Sequence, residues 1–457
     1  MTLSFNIISP VDGSMYRSLE NTEPEEGLRA ISAARTAQPK WAAVPLDERK
    51  AICRRFVEEM QKESDKTSLE LTWQMGRPIA YAPGELNGLS ERALYMIGKA
   101  DDGLASLDAS TEEATRRIDR VPLGVCLVVA PWNYPFLTSV NTIIPAILAG
   151  NSVVLKAASQ TALTGESYAA AFEAAGLPEG VFTNILPTHA MIADWISTRA
   201  VDFVAFTGSV GGGAAMEAAA VGRFLPVSLE LGGKDPAYVR ADADLEFTVP
   251  SLVDGSFFNS GQSCCAIERI YVDRSIHDQF VADFVAETKR SQILGDPTEQ
   301  TTTLGPVVNQ GAARDIRAQI AQAVDAGAEL LAGENDPSNE SNYIPATVLS
   351  SVDHSMQIMS EETFGPAIGI IPVDGDDAAL ELMNDSKFGL SASIWSTDRQ
   401  TAAELGRSVQ SGTLFVNRCD YLDPALAWVG VKDSGRGCTL SELGFHHVTR
   451  PMSFFIR

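Results

Sequence analysis

No apolar run in this sequence approaches the ~20 residues that a membrane-spanning helix needs, so a helical membrane protein is not expected. The opening residues, "MTLSFNIISPVDGSMYR", lack a basic stretch followed by an apolar one. No secretory signal is read there, and the cytoplasm is the expected compartment. Positive charge is scarce: 35 Lys and Arg stand against 59 Asp and Glu, for a net charge of −24. Nucleic acids and anionic membrane surfaces recruit basic patches, so neither is expected as a partner. Small ligands remain open, because one pocket can carry a sign opposite to the whole. Cysteine is sparse too. The six thiols, at 53, 126, 264, 265, 419 and 438, form no C-x-x-C pair. That density fits reduced thiols, not a disulfide framework. The five histidines are not spaced as zinc ligands, and no metal site is expected. Internal repeats and low-complexity tracts are missing as well.

What is present is a chain of 457 residues with 45% apolar content, enough for two or three folded domains. Residues 25–98 read as helices. Asp47 is a candidate N-cap, and Ile52, Phe56 and Met60 repeat every four residues as one apolar stripe. "TEEATRRIDRVPLG" then alternates charged and apolar residues, as an exposed ribbon does, and its edge is a candidate subunit contact.

The rhythm changes at Gly124. "GVCLVVA" reads as a strand, "NTIIPAILAG" as a helix and "NSVVLK" as a strand. "TALTGESYAAAFEAAG" is a helix closed by Gly176, followed by strands in "VFTNIL", "VDFVAFTGS" and "FLPVSLELGG". Strands that are apolar without alternation, separated by helices, signal an α/β protein with a parallel sheet covered on both faces. A ligand would sit beyond the carboxyl ends of those strands. A second alternating block begins near Lys234. It contains adjacent cysteines, a long helix through "AARDIRAQIAQAVDAGAELLAG", strands in "SASIWS" and "GTLFVN", and a polar loop in "GENDPSNESN".

Four stretches could carry chemistry. In "VDFVAFTGSVGGG" a strand ends at Phe206, and Gly208, Ser209, Gly211, Gly212 and Gly213 open a helix. Glycines admit a close ligand, and a helix N-terminus favours phosphate; the competing reading is a tight turn. The pattern is not G-x-G-x-x-G. In "LELGGKDPAYV", Glu230 ends a strand beside a sheet crevice, where a general base would lie; a loop-capping carboxylate is the competing reading. In "APWNYPF", Asn133 follows a strand between prolines and aromatics. It is either an oxyanion donor or an Asx-turn. In "NSGQSCCAIERIYV", Cys264 and Cys265 are either nucleophile and neighbour or two buried fillers.

Taken in order, these features resemble the aldehyde dehydrogenase superfamily over nearly the whole chain. G-Q-x-C at 261–264, E-L-G-G-K at 230–234 and E-E-x-F-G-P at 361–366 carry the resemblance. It implies a Rossmann-like cofactor domain (1–105 and 122–232), a second α/β catalytic domain (233–440) and a small β oligomerisation element (106–121 and 441–457). It further implies Cys264 as nucleophile, with Cys265 a neighbour, Glu230 as base for thioester hydrolysis and Asn133 as oxyanion donor. The implied reaction is NAD(P)-dependent oxidation of an aldehyde to an acid. Lys156 matches the lysine at the adenosine ribose, Ser209 the serine at the pyrophosphate, and Glu362 the glutamate at the nicotinamide ribose. Phe364 packs nearby, Trp132 borders the nicotinamide, and Phe206, Gly208, Leu231 and Gly232 lie at the strand-end crevice.

The departures are informative. Many NAD-preferring members carry a glutamate three residues after the lysine; "KAASQ" puts Ser159 there, so NADP is expected to be tolerated or preferred. In "NILPTHAMI", where relatives have glycines, His189 either approaches the adenosine or is an ordinary loop histidine. Val429 in "WVGVKDSGRG" replaces a common glycine and turns attention to Trp428 as a tunnel wall. Tyr134, Phe258, Ser263, Leu422 and Trp428 align with tunnel-lining positions. Arg418 either recognises a carboxylate-bearing aldehyde or pairs with Asp420 or Asp423. Two rivals remain: a coenzyme A-acylating relative, which tends to lack the base glutamate, and a relative that binds cofactor without catalysis. A homodimer or homotetramer is expected from the ribbon at 114–120 and the terminal "PMSFFIR".

Overall fold

A computed structural model describes residues 4–457 of the chain. Two twisted sheets with helices on both faces form its body. In Val125–Val129 every residue is buried, and period two splits them between faces. Cys126 and Val128 join a core with the helices Leu46–Lys62, Pro83–Gly103 and Pro135–Ala149. Val125, Leu127 and Val129 join another with Pro24–Ala42 and His189–Ser197. The strand order in this sheet is 435–436, 227–230, 203–207, 125–129, 152–156, 182–184, all parallel except the first. This is the mixed α/β architecture expected from unalternated apolar strands. Gly435–Arg436, read from sequence with the second block, returns here to pair with Leu229 and Glu230.

The second sheet has the order 329–332, 347–350, 367–373, 267–273, 235–239, 391–395, 413–416, parallel but for its first strand. Only Leu231 to Lys234 separate the end of one sheet, Val227–Glu230, from a strand of the other, Asp235–Val239. The crossing therefore sits at the junction of the two sheets. A third, exposed sheet joins 107–108, 115–122 and 449–456 in antiparallel register.

Three local expectations need correction. Asp47 lies inside Leu46–Lys62, whose cap position is Pro45; it contributes negative charge to the first turn without capping. The long helix stops at Asp325, because Gly327 takes a left-handed φ of 108°, and "AELLAG" supplies the strand Glu329–Ala332. His189 is not in a loop: it opens the helix His189–Ser197, capped by the Thr188 hydroxyl, which accepts from Met191 N–H at 3.3 Å. Among the described residues no helix is long and apolar enough to cross a membrane.

Candidate active site

The cysteine turn is held by unusual backbone. Asn259, Ser260 and Gly261 all have positive φ, at 53°, 58° and 70°. A Cβ on Gly261 would fall 2.2 Å from the Gly365 carbonyl, so glycine is needed there. Side chains pin the rest. Ser260 Oγ donates to the Gly305 carbonyl at 2.8 Å, and Gln262 Oε1 accepts from Val308 N–H at 2.8 Å. Buried Arg77 ties this turn to the loop after Val125–Val129. Its Nε donates to Asn259 Oδ1 at 3.1 Å, its Nη2 to the Asn133 carbonyl at 2.5 Å, and Nη1 pairs with Glu85. The Glu85 carboxylate in turn accepts from Phe136 and Leu137 N–H, at the start of Pro135–Ala149. Asn133 Nδ2 donates to the Gln262 carbonyl at 3.1 Å, which leaves one amide hydrogen for a ligand.

Cys264 stands partly exposed where two cavities meet, and Glu230 and Thr138 line both with it. The first cavity, about 460 Å³, lies at the carboxyl ends of the first sheet. Its walls include Trp132, Asn133, Lys156, Phe206, Gly208, Ser209, Leu231, Gly232, Glu362 and Phe364. The second, about 370 Å³, is lined by Tyr134, Phe258, Ser263, Leu422 and Trp428, with Arg92 and Asp420. The structure thus brings together both groups of residues expected from sequence, on opposite sides of one thiol. Two of the expected residues fall outside. Ser159 opens the short turn Ser159–Thr161 and lines neither cavity, although Ala158 lines the first. Arg418 lines neither: its guanidinium stacks 3.6 Å from the Tyr421 ring centroid and pairs with neither Asp420 nor Asp423. His189 lines the first cavity.

The two cysteines differ in kind. Cys265 is buried, and its Sγ donates to Asp420 Oδ1 at 3.1 Å, a carboxylate that also accepts from Ser263 Oγ at 2.6 Å. A hydrogen bond with Cys264, then burial, then the Asp420 charge push the Cys265 thiol well above its ordinary range. A protonated, enclosed thiol is a poor nucleophile.

Glu230 ends its strand with its carboxylate held from two sides. Thr439 Oγ1 donates to Oε1 at 2.6 Å and Thr207 Oγ1 to Oε2 at 3.5 Å. Burial raises its pKa, and the two hydroxyls and Arg92 oppose that rise. The glycines of E-L-G-G-K now have reasons. A Cβ on Gly232 would lie 2.4 Å from Glu362 Oε1, and one on Gly233 would lie 2.3 Å from the Cys264 carbonyl. Gly233 N–H donates to Glu362 Oε1 at 3.0 Å.

Lys234 and Glu268 form a fully buried ion pair at 2.6 Å. Glu268 also accepts from Thr363 and Phe364 N–H at 2.8 and 2.9 Å, which fixes the turn carrying Glu362 and Phe364. Phe364, at φ 49°, meets Trp132 edge-on with centroids 5.5 Å apart. Burial, with the neighbouring Glu268 charge, pushes Glu362 up to about 7. Lys156 is buried in the wall of this cavity, and burial lowers its pKa. Ser209 caps the helix Val210–Ala220 by accepting from Gly212 N–H at 3.2 Å. Arg77, Glu268, Thr207 and Thr439 were not singled out from sequence. The lysine of the E-L-G-G-K stretch and the glutamate four residues after Cys264 were the available signal for one pair. Among the described residues no cluster of His, Cys, Asp and Glu could hold a metal.

Comparison with known proteins agrees with this geometry. The model of the aldehyde dehydrogenase family matches residues 2–454. The chain is 33% identical over 451 residues to a succinate-semialdehyde dehydrogenase (NADP(+)) of Deinococcus radiodurans, covering 97% of this chain and 93% of that one. It is 30% identical over 452 residues to a betaine aldehyde dehydrogenase of Bacillus subtilis, covering 97% and 92%. A crystal structure of succinic semialdehyde dehydrogenase from Streptococcus pyogenes, in complex with NADP+, superposes with a TM-score of 0.95 at 29% identity, covering 99% of each chain.

Proposed function

The chain belongs to the aldehyde dehydrogenase family, and on that premise we propose that Cys264, Asn133 and Glu230 perform the oxidation. The protein is an NAD(P)-dependent aldehyde dehydrogenase that converts an aldehyde to its carboxylic acid. The observation that carries the assignment of residues is the meeting of two cavities at Cys264 and Glu230.

In this reading Cys264 Sγ, as thiolate, bonds to the aldehyde carbon. The carbonyl oxygen becomes an oxyanion and accepts hydrogen bonds from Asn133 Nδ2 and the Cys264 N–H. When bound, the nicotinamide supplies the hydride acceptor that leaves a thioester on Cys264. Glu230 then takes a proton from a water that attacks the thioester carbon. The C–S bond breaks, the acid leaves, and the thiolate is restored. Burial brings the Glu230 carboxylate nearer the working pH as a base, while Thr439 and Thr207 keep it oriented. Glu230 favours water over a coenzyme A acceptor.

The first cavity fits a dinucleotide. A capped helix N-terminus faces it at Ser209, and Gly232, having no side chain, admits the Glu362 carboxylate to the wall. We assign Glu362, Phe364 and Trp132 to the nicotinamide half and Lys156, Ser209 and His189 to the adenosine half. The carboxylates in its wall are Glu230, held by Thr439 and Thr207, and Glu362, held by Gly233 N–H. Position 159, three residues after Lys156, is a serine that adds no charge against a 2′-phosphate. That supports use of NADP alongside NAD. We also keep the three-part division of the chain as a proposal, with the exposed sheet 107–108, 115–122 and 449–456 as the contact in an oligomer. Leu107, Ile118, Met452, Phe455 and Ile456 are exposed on it.

The test is an aldehyde panel run with NAD and NADP, without coenzyme A. Acid should form in step with NADH or NADPH, and Cys264→Ala should abolish it. Full turnover by that variant would overturn the assignment. Cofactor binding with no turnover on any aldehyde would favour a non-catalytic relative.

A further inference from the structure

Arg92 is buried in the wall of the second cavity, 8% exposed, without any carboxylate in ion-pair range. Its Nη1 is tied down, donating to the Leu137 carbonyl at 2.6 Å and reaching Asn141 Oδ1 at 3.5 Å. Its Nε and Nη2 have no protein acceptor among the described residues. The unoccupied edge is therefore the fork that takes a carboxylate side-on. The same chain shows that use elsewhere. Arg240 Nε and Nη2 grip both oxygens of Asp376, and Arg274 does the same with Asp374.

The helix Pro83–Gly103 opens space beside this fork. Gly84, Gly88 and Arg92 fall at i, i+4 and i+8 on one face, and all three line the cavity. Gly84 leaves open space, Gly88 lets the Leu137 side chain pack against the helix, and the third position supplies a cation. The charges of Glu85 and Glu230 act on Arg92 only from beyond ion-pair range, and a buried guanidinium without a contacting anion is costly, which makes it a receptor waiting for charge. The cavity's own acids do not satisfy it. Asp420 accepts from Ser263 and Cys265, Glu230 accepts from Thr439, and Glu91 is exposed on the helix.

Resting on the reading that Cys264 attacks an aldehyde in this cavity, we propose that Arg92 binds a carboxylate at the far end of the substrate. The preferred substrates are then short aldehydes with a terminal carboxylate. The receptor is Arg92 and not Arg418, which does not line the cavity and is held on the ring of Tyr421, a residue of its wall.

The experiment compares succinic semialdehyde with butanal, the same four-carbon chain without the charge, and with cationic betaine aldehyde. Wild-type kcat/KM should favour succinic semialdehyde over butanal by about 10²-fold or more. Arg92→Gln should collapse that ratio by at least about 30-fold, chiefly through KM, and Arg92→Lys should restore part of it. Succinate, which cannot be oxidised by this route, should raise the melting temperature of wild-type protein and compete with the aldehyde. It should do neither with Arg92→Gln. A wild-type preference for butanal or betaine aldehyde overturns the proposal, as does an unchanged ratio in the variant. Absence of turnover on every aldehyde would instead sink the underlying catalytic reading. The succinate melting shift then still decides the role of Arg92.

Discussion

Thr439 donates its hydroxyl to Glu230 across 209 positions of sequence, and its backbone pairs in both directions with Trp428. One residue thus links the carboxylate beside Cys264 to the wall of the second cavity. Replacing it by valine keeps the shape and removes the donor. The hydroxyl opposes the rise that burial imposes on Glu230, so its loss raises the pKa further. The acid limb of the kcat profile should move to higher pH in Thr439→Val. At pH 7 the hydrolytic step should slow roughly tenfold, with Thr439→Ser close to wild type. An unmoved acid limb would remove Glu230 as the base.

Alkylation separates the adjacent cysteines. Brief treatment with iodoacetamide at neutral pH should label Cys264, which lies in both cavities, and leave buried Cys265 and Cys53 intact. Burial holds the Cys53 thiol up to about 12. Peptide mass spectrometry reads the result. Modification of Cys265 ahead of Cys264 would reverse their proposed roles.

Asn133→Ala should lower kcat by about 10²–10³-fold with little change in cofactor affinity, because the amide would act on charge that develops during attack. Stopped-flow measurement of the first turnover places the loss before or after thioester formation. A loss confined to cofactor binding would argue for a purely structural asparagine.

Glu362 is pushed up to about 7, so it is mostly protonated at pH 6 and mostly ionised at pH 8. A carboxylate that accepts from ribose hydroxyls binds better when ionised. The dissociation constant for NAD should therefore fall as pH rises across this window, by up to about tenfold. Fluorescence titration at both pH values tests it, and Glu362→Gln should flatten the dependence. NAD is the right probe because it lacks the titrating 2′-phosphate of NADP.

Lys234→Met leaves Glu268 buried without its cation. The expected loss is about 3–5 kcal/mol of stability, visible in a thermal melt. The turn bearing Glu362 and Phe364 loses its anchor at the same time, so KM for NAD should rise. A variant as stable as wild type would show that Glu268 needs only its backbone donors.

Much of this was legible along the chain because it is written in short windows. Five consecutive buried residues in Val125–Val129 announce a strand covered on both faces, and G-Q-x-C or E-L-G-G-K can be read without a fold. Local chemistry also explains Gly176, whose φ of 80° closes its helix. The helix at His189 was missed because "NILPTHAMI" is short and its cap is a single threonine. For Arg418 neither open reading, a carboxylate receptor or a partner of Asp420 or Asp423, matches its contacts, and the reason is different. Nearness in sequence to Asp420 and Asp423 says nothing of which way a guanidinium turns, and an aromatic ring took it.

Composition and local pattern were thus sufficient for the α/β class and for candidate nucleophile and base, and the resemblance carried by the short motifs added the expectation of a nicotinamide cofactor. They could not reveal which distant side chains converge. Arg77 reaches Asn259 over 182 positions, Lys234 finds Glu268, and Arg92 meets Leu137 from another helix. Burial removes water as the alternative partner, so each such group is defined by whatever the packing of the two sheets brings beside it. That neighbourhood exists only once the chain has folded.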